Sequence, residues 1–363
     1  FFFFFLAGLL KSINTVSLVT QIIGGASILS VMWHLIGYTL VFGHTYRGFI
    51  GNFDNILMFD VSYDNCSRHS PNIPAGLFGF FEMMFAAISP LLITGAFSER
   101  LKYKSFIIFI IGWELFIYYP VAHWIWGDGW LNIIFQVEDF AGGMVIHTTS
   151  GVSALICGIV LGARKNFDKY NGEFPPSNLP LAALGGALLW TAWFGFNAGS
   201  ALQSAVCSGV IWLIISWIRH KPSATAVLNG VIAGLSGITP ASGYIDPQYA
   251  ALIGIIIGFT SYFSILLFKH KLRIDDALGK FVHGVTGIVG SIAIGFFGQK
   301  SFNMYGKDGL FFGNHSFYLL GIQVMSVVIT GTWSGLITII LLKFIDKIVG
   351  LKIEHDEELG LDE

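Results

Sequence analysis

Two histidines occupy matching positions in a motif that occurs twice in the chain. Residues 139–151 and 275–287 both read Asp-x3-Gly-x3-His-x3-Gly, so His147 and His283 lie 136 residues apart at equivalent places. An imidazole donates and accepts hydrogen bonds and can move one proton near neutral pH. Two ligands are too few for a metal site, so we expect no metal here. The alternative is that each histidine only hydrogen-bonds a neighbouring helix.

The composition requires lipid as the solvent for most of the chain. Of the 363 residues, 54% are hydrophobic and only 12% are charged, and the mean hydropathy is +0.70. A soluble domain carries about 25% charged residues. The net charge of −2 favours neither nucleic acid nor a polybasic membrane anchor. We therefore predict an integral membrane protein surrounded by membrane lipid.

Apolar runs long enough to cross a bilayer, about 20 residues each, recur between short polar breaks. They predict an all-α fold of eleven transmembrane helices. The predicted helices cover residues 1–10, 18–43, 74–98, 104–119, 140–162, 179–200, 204–218, 226–239, 249–268, 279–298 and 316–349. We expect the first helix to be incomplete, because the chain begins inside a run of five phenylalanines.

Lysine and arginine are distributed unevenly among the loops. Sixteen of the 20 lie in alternate breaks, and none lies between Ser105 and Ala163. Short basic loops face the cytoplasm. The C-terminus is therefore predicted to be cytoplasmic and, with an odd number of spans, the N-terminus extracellular, in a multi-pass protein of the cell membrane.

The charge pattern also orients the two copies of the histidine motif in opposite directions. Asp139 falls at an outer helix end and Asp275 at an inner one. This predicts an inverted five-plus-five helix repeat, whose functional centre lies near the membrane midplane. Each histidine follows its aspartate by about 12 Å of helix, in a hydrocarbon core of about 30 Å. Both imidazoles are thus expected near the middle, where ionisable groups usually mark a pathway.

Further motifs resemble the ammonium transporter (Amt/Mep/Rh) family, in register from about Lys11 to Glu363. They are Gly-Ala-Phe-Ser-Glu-Arg (95–100), Pro-Val-Ala-His-Trp-Ile-Trp-Gly-Asp-Gly (120–129), Asp-Phe-Ala-Gly-Gly (139–143), Trp-Phe-Gly-Phe-Asn-Ala-Gly-Ser (193–200), Gly-Ile-Thr-Pro-Ala-Ser-Gly-Tyr (237–244) and the segment 275–284. The motif at 193–200 is the most specific and resembles the Amt branch. The resemblance implies eleven helices, an extracellular amino end and a homotrimer with one pore per subunit.

The same resemblance implies roles for individual residues. It assigns ammonium recruitment to Trp126, Phe85 and Ser200, an aromatic gate to Phe85 and Phe196, and the pore to His147 and His283. An aromatic face and a hydroxyl can replace the water that an ammonium ion loses. Apolar pore walls then favour neutral ammonia, so deprotonation at or below the gate follows. The alternatives are that Trp126 anchors the chain at the membrane interface and that the phenylalanines only pack.

Three acidic residues and one tryptophan deserve separate interpretations. Asp139 precedes a helix and suits a structural N-cap with an indirect electrostatic effect. Glu82 stands three residues before Phe85, where the family more often has Gln, and either attracts cations or pairs with a neighbouring helix. Glu114 is a second intramembrane acid with no assigned role. Trp124 is expected to make the vestibule more aromatic.

Transport of ammonium or ammonia is the function that these observations favour. The alternative is an ammonium sensor, in which the same fold signals to a fused or partner cytoplasmic domain. We divide the chain into a transmembrane domain, 1–349, and a cytoplasmic tail, 350–363, which we expect to continue further. The chain offers neither a nucleophile–base set nor a nucleotide loop, so we expect neither an enzyme nor a cofactor.

Overall fold

Apolar helices form almost the whole structure. The computed structural model describes residues 2–197, 201–219, 221, 223–276, 281–313 and 316–353. Within these ranges, seven helical segments are long and apolar enough to cross a membrane, and shorter apolar helices lie between them. In chain order the segments are α1 (Phe2–Leu9), α2 (Ser12–Phe42), α3 (Ala75–Phe97), α4 (Tyr103–Phe135), α5 (Gly143–Leu161), α6 (Leu179–Asn197), α7 (Ala201–Arg219), α8 (Ala224–Ile238), α9 (Pro247–Lys271), α10 (Phe281–Phe297) and α11 (Tyr318–Val349). The predicted all-α membrane fold is confirmed.

The fourth helix continues well past its predicted end at residue 119. Pro120 lacks an N–H group, so the carbonyl of Phe116 four residues earlier loses its helical donor. A π-helical segment, Glu114–Tyr118, precedes the proline. The indole N–H of Trp333 in α11 donates to the Phe116 carbonyl at 2.9 Å. A contact from a distant helix thus satisfies the group that the proline leaves open, and α4 passes through.

The loop between α2 and α3 forms two small antiparallel hairpins that the sequence patterns did not predict. Strand β1 (Thr45–Tyr46) pairs with β2 (Ile50–Gly51), and β3 (Cys66–Ser67) pairs with β4 (Ser70–Pro74). Strands this short carry too few alternating residues for a period-2 signal. The second hairpin leads directly into α3, the helix that carries Phe85.

Repeat-equivalent helices pack against each other through glycines. A Cβ atom at Gly185 of α6 would lie 2.1 Å from the backbone nitrogen of Phe5 in α1. Likewise, a Cβ atom at Gly151 of α5 would lie 2.2 Å from Cα of Gly284 in α10. Only glycine permits backbones to approach this closely. The pairings α1 with α6 and α5 with α10 agree with the predicted repeat.

The two motif aspartates lie at opposite ends of α5. Asp139 precedes the first turn of that helix, whereas Asp275 contacts Arg164, which follows its last turn. The two copies of the motif therefore enter the fold from opposite sides, as the inverted repeat predicts. Helix α11 packs on α5, where the Ser334 hydroxyl donates to the Thr149 carbonyl at 2.7 Å. This contact holds the histidine-bearing helix in place.

Candidate functional site

The two repeated histidines meet at the crossing of α5 and α10. Their ring centroids are 5.5 Å apart and the rings are nearly parallel, at 18°. His147 and His283 are 1% and 5% exposed. His147 lies in a π-helical segment, Gly143–Thr148, a geometry that recurs at functional sites. A Cβ atom at Gly287 would lie 2.6 Å from Cβ of His147, so the crossing depends on glycine there.

Trp193 of α6 is a site residue to which the sequence reasoning assigned no role. Its ring is nearly parallel to His147 at 5.8 Å and to His283 at 6.3 Å. Its indole N–H donates to the Thr239 hydroxyl at 3.4 Å. The sequence did contain a signal for this role. Trp193 and Phe196 are three residues apart and therefore share one face of a helix.

Phe85 and Phe196 stack directly on each other beside the histidine pair. Their ring centroids are 4.4 Å apart at 24°, and Phe85 is 3% exposed. Phe196 in turn lies 6.5 Å from the ring of His147. Trp126 stands edge-on to Phe85 at 6.1 Å. The rings of Trp126, Phe85, Phe196 and His147 thus form one continuous series.

Asp139 fixes the start of α5 and the position of Trp126. Its carboxylate accepts hydrogen bonds from four successive backbone N–H groups, at distances of 2.7 to 3.2 Å, from residues 142 to 145. Gly142 has φ +104°, a conformation that favours glycine. The Asp139 carbonyl accepts the Trp126 indole N–H at 2.8 Å. The geometry agrees with the expected N-cap and adds the orientation of the indole ring.

A cavity of about 540 Å³, here called the vestibule, opens beside Trp126. Several acidic side chains contribute to its wall. The charged and titratable lining residues are Glu82, Glu138, Asp139, Asp128, Arg68, His69, Lys307, Tyr244 and Tyr305. Phe85 lies one helical turn beyond Glu82, and its ring contacts Trp126 of the vestibule wall. The wall thus combines four carboxyl groups with two basic side chains, Arg68 and Lys307.

Glu82 is buried in the vestibule wall at 8% exposure. Its Oε2 atom has no hydrogen-bond partner among the described residues. A pairing with a neighbouring helix, the second sequence-based interpretation, therefore gains no support. Glu114 is fully buried in α4, and in the part of the chain that is described neither of its carboxyl oxygens has a hydrogen-bond partner.

Trp124 does not contribute to the vestibule, so the expectation of a more aromatic vestibule was wrong for this residue. Its side chain is buried, and its indole N–H donates to the Phe49 carbonyl at 2.8 Å. Its ring packs against Phe49 at 5.3 Å and Trp333 at 5.4 Å. Trp124 and Trp126 are two positions apart on a helix and therefore point in different directions.

Asp275 forms a buried ion pair at the opposite end of α5. Its carboxylate accepts from the backbone N–H and Nε of Arg164, both at 2.8 Å, and Arg164 also donates to Glu99 at 2.9 Å. Burial by itself would raise the pKa of Asp275. The hydrogen bonds and charge of Arg164 nevertheless hold this pKa below its ordinary value. The aspartate therefore remains ionised and locks the loops at this end.

Ser200, the third expected recruitment residue, lies outside the described residues. The other expected site residues come together in the order vestibule, aromatic gate and histidine pair. Such an order suits the passage of a small polar molecule that loses its charge on the way, because the surroundings change from acidic and polar to aromatic and then to buried imidazole.

Comparison with known proteins identifies the same fold and family. The model of the Ammonium Transporter Family matches residues 1–363. The chain is 55% identical to ammonium transporter 1 of Dictyostelium discoideum, over 99% of this chain and 81% of that relative. The crystal structure of Saccharomyces cerevisiae Mep2 matches with a TM-score of 0.86 at 29% identity. The match covers 98% of this chain and 85% of the Mep2 chain. A solved sensor Amt protein has a TM-score of 0.87 at 30% identity and covers 99% and 92%. Since these similarities extend over nearly its whole length, this chain belongs to the ammonium transporter family.

Proposed function

We propose that this chain moves ammonium across a membrane by way of the vestibule, the gate of Phe85 and Phe196, and the pore at His147 and His283. The observation that carries the proposal is the alignment of these three parts, with the stacked phenylalanines between the acidic cavity and the stacked imidazoles. All of these residues belong to one chain, in keeping with one pore per subunit of the proposed trimer.

Recruitment begins with attraction of the cation. Acidic residues in the vestibule wall favour ammonium, and the faces of Trp126 and Phe85 replace part of its lost hydration. A cation over an aromatic face gains about 0.5–2 kcal/mol. Ser200 supplies a hydroxyl as a further partner. Because these contacts replace only part of the lost hydration, they favour ammonium over strongly hydrated ions.

Deprotonation follows at the gate. Behind it, the two imidazoles are buried beside the ring of Trp193. A bare cation is costly in such surroundings, whereas neutral ammonia is not. The imidazoles offer ammonia a hydrogen-bond donor and acceptor in an otherwise apolar passage. The histidine pair therefore keeps the passage usable for a small polar molecule.

A sensor that binds ammonium and signals without appreciable flux is the second candidate. It is favoured by the similarity to the solved sensor Amt protein at 30% identity. Transport is favoured more strongly, because the relative that is 55% identical is named as an ammonium transporter. As a sensor, the chain would signal to a cytoplasmic regulatory or signalling domain.

The remaining proposals concern topology and assembly. The multi-pass chain is proposed to have an extracellular N-terminus, a cytoplasmic C-terminus and a homotrimeric assembly. The division into residues 1–349 and 350–363 is supported by Gly350, which has φ +74° and ends α11. After it, the chain runs back along the start of α4, where the Leu351 carbonyl accepts the Lys102 N–H at 2.9 Å.

The test is an ammonium current from the purified chain in proteoliposomes under an ammonium gradient, with potassium as the control ion. We expect a current in the wild-type protein, whereas His147→Ala and His283→Ala abolish it with the trimer intact by native mass spectrometry. A wild-type chain that binds ammonium but carries no current would support the sensor. Normal conduction by both variants would refute the histidine pore.

A further inference from the structure

Glu82 lies where the vestibule meets the gate. It is in α3, three residues before Phe85, and therefore on the same helix face. Its side chain lines the same cavity as Trp126. Phe85 itself contacts both Trp126 and Phe196. An ion that has reached the aromatic rings from the vestibule is therefore beside this carboxyl group.

The surroundings of Glu82 leave its carboxyl without a fixed partner. It is 8% exposed, and Oε2 has no hydrogen-bond donor among the described residues. Two titratable groups are close enough to interact with its charge. They are the hydroxyls of Tyr38 in α2 and Tyr118 in α4. A carboxylate buried in this way is costly unless it gains a cation or a proton. Both are supplied by ammonium.

The other carboxylates of the vestibule each have at least one donor, and Asp128 pairs with Arg68 at 3.0 Å. Asp139 accepts four backbone N–H groups, which disfavours its protonation. Glu138 accepts the Lys307 N–H at 2.6 Å. The two histidines lie on the other side of the stacked phenylalanines. Oε2 of Glu138 is also without a partner among the described residues. Glu82 is distinguished because it accepts no hydrogen bond from the described residues and because it shares a helix face with Phe85.

We propose that Glu82 is the proton acceptor for ammonium at the aromatic gate. This proposal rests on the proposed transport function and assigns its deprotonation step. One N–H bond of ammonium breaks and its electron pair stays on nitrogen, while a lone pair of the Glu82 carboxylate forms the new O–H bond. Ammonia passes Phe85 and Phe196, and the proton leaves Glu82 for the same side of the membrane as the ammonia, so that one charge crosses with each ammonium ion. The carboxylate is then ready for the next ion.

The test compares Glu82→Gln with a matched control, Glu114→Gln. Both replacements keep the shape and remove a protonatable group from a buried position in the described core. Glu114 does not line the vestibule, so its replacement should leave transport unchanged. Currents are recorded over a range of ammonium concentrations in proteoliposomes, and thermal unfolding is followed in detergent. Glu82→Asp is added as the conservative variant that keeps an acceptor.

We expect Glu82→Gln to lower the maximal current by at least about tenfold, in line with the contribution of a positioned base. The concentration for half-maximal current should change little, because the aromatic faces still bind the ion. Glu82→Asp should retain much more of the current than Glu82→Gln. The unfolding temperature of Glu82→Gln should stay at the wild-type value although its current falls.

Several outcomes would overturn the proposal. An unchanged maximal current in Glu82→Gln would exclude an acceptor role, and a pure loss of apparent affinity would show that Glu82 only attracts the cation. Equal losses in Glu114→Gln or in Glu82→Asp would indicate a packing effect. A wild-type chain without current would instead contradict the proposed transport function, so the two failures are distinguishable.

Discussion

In the proposed pathway, single residues divide the site into a part that attracts the cation and a part that excludes it. Glu82, Glu138 and Asp139 lie in the vestibule wall, while His147 and His283 lie beyond the stacked phenylalanines. Trp126 stands between the two parts, with its N–H held by the Asp139 carbonyl at 2.8 Å. The indole therefore presents a fixed ring to an arriving ion.

Replacement of Trp126 by leucine tests the recruitment role at this scale. The loss of a cation–π contact worth about 0.5–2 kcal/mol should weaken apparent ammonium affinity roughly 2- to 30-fold. The maximal current should change less, because the gate and the histidines remain. The measurement is the concentration dependence of the ammonium current. If that dependence is unchanged, Trp126 acts only as an interfacial anchor.

Glu138 gives the vestibule a pH dependence near neutrality. Burial raises the pKa of its carboxyl to about 7, against the lowering effects of the Lys307 N–H and charge. The charged or titratable groups around it are Lys307, Asp308, Asp139 and Tyr244. Above pH 7 the ionised carboxylate adds negative charge to the vestibule. We expect apparent ammonium affinity to improve as the pH rises through 7, and Glu138→Gln to reduce this change.

The same raised pKa has an effect of opposite sign on stability. Since the folded value lies above the ordinary value of 4.5, the stabilisation linked to Glu138 is complete below pH 4.5 and is lost as the pH rises through 7. The unfolding temperature should therefore fall over this interval in the wild type more than in Glu138→Gln. Parallel curves for the two proteins would contradict the assignment.

At the scale of the helices, one close crossing positions the histidines. Gly151 of α5 lies against Gly284 of α10, and a Cβ atom at Gly151 would be 2.4 Å from the Gly284 nitrogen. Because both contacts are backbone atoms, no side-chain movement can relieve them. The distance between the two imidazoles therefore depends on two residues that have no polar side chain of their own.

Gly151→Ala should force α5 and α10 apart. We expect a destabilisation of about 1–3 kcal/mol from overpacking and a lower ammonium current, measured by thermal unfolding and in proteoliposomes. Gly195→Ala is the matched control on α6, since a Cβ atom there meets nothing within 4 Å. In a helix this change should be neutral or stabilising by about 0.5–1 kcal/mol. Equal effects of both substitutions would contradict a special role for the crossing.

At the scale of the whole molecule, the two ends of α5 differ in chemistry. One end carries the vestibule and Asp139, and the other carries the buried pair of Arg164 and Asp275. The proposed orientation puts the vestibule outside the cell, together with the hairpins between α2 and α3. Cys66 of β3 is exposed there, whereas Cys157 is buried in α5.

Thiol labelling in intact cells tests this orientation. A membrane-impermeant maleimide should modify the wild-type chain at Cys66, because that side chain is exposed on the proposed outer side. Cys66→Ser should remove the labelling, which makes it the internal control. Modification of Cys66 only after the membrane is permeabilised would reverse the proposed orientation.

The sequence by itself determined the membrane class, the helical segments, the repeat and the meeting of His147 with His283. Hydropathy and spacing are properties of short segments, and the repeated motif relates its two copies without knowledge of contacts. The gate pair was assigned through the resemblance of its motifs to a family, and its stacking at 4.4 Å agrees with that assignment.

Only the tertiary structure decided which side chains surround these residues. Trp193 lies against both histidines, and Trp124 turns away from the vestibule to Phe49 and Trp333. The continuation of α4 through Pro120 depends on an indole N–H more than 200 residues away. These features arise from contacts between helices that are distant along the chain, and such contacts leave no local pattern in the sequence.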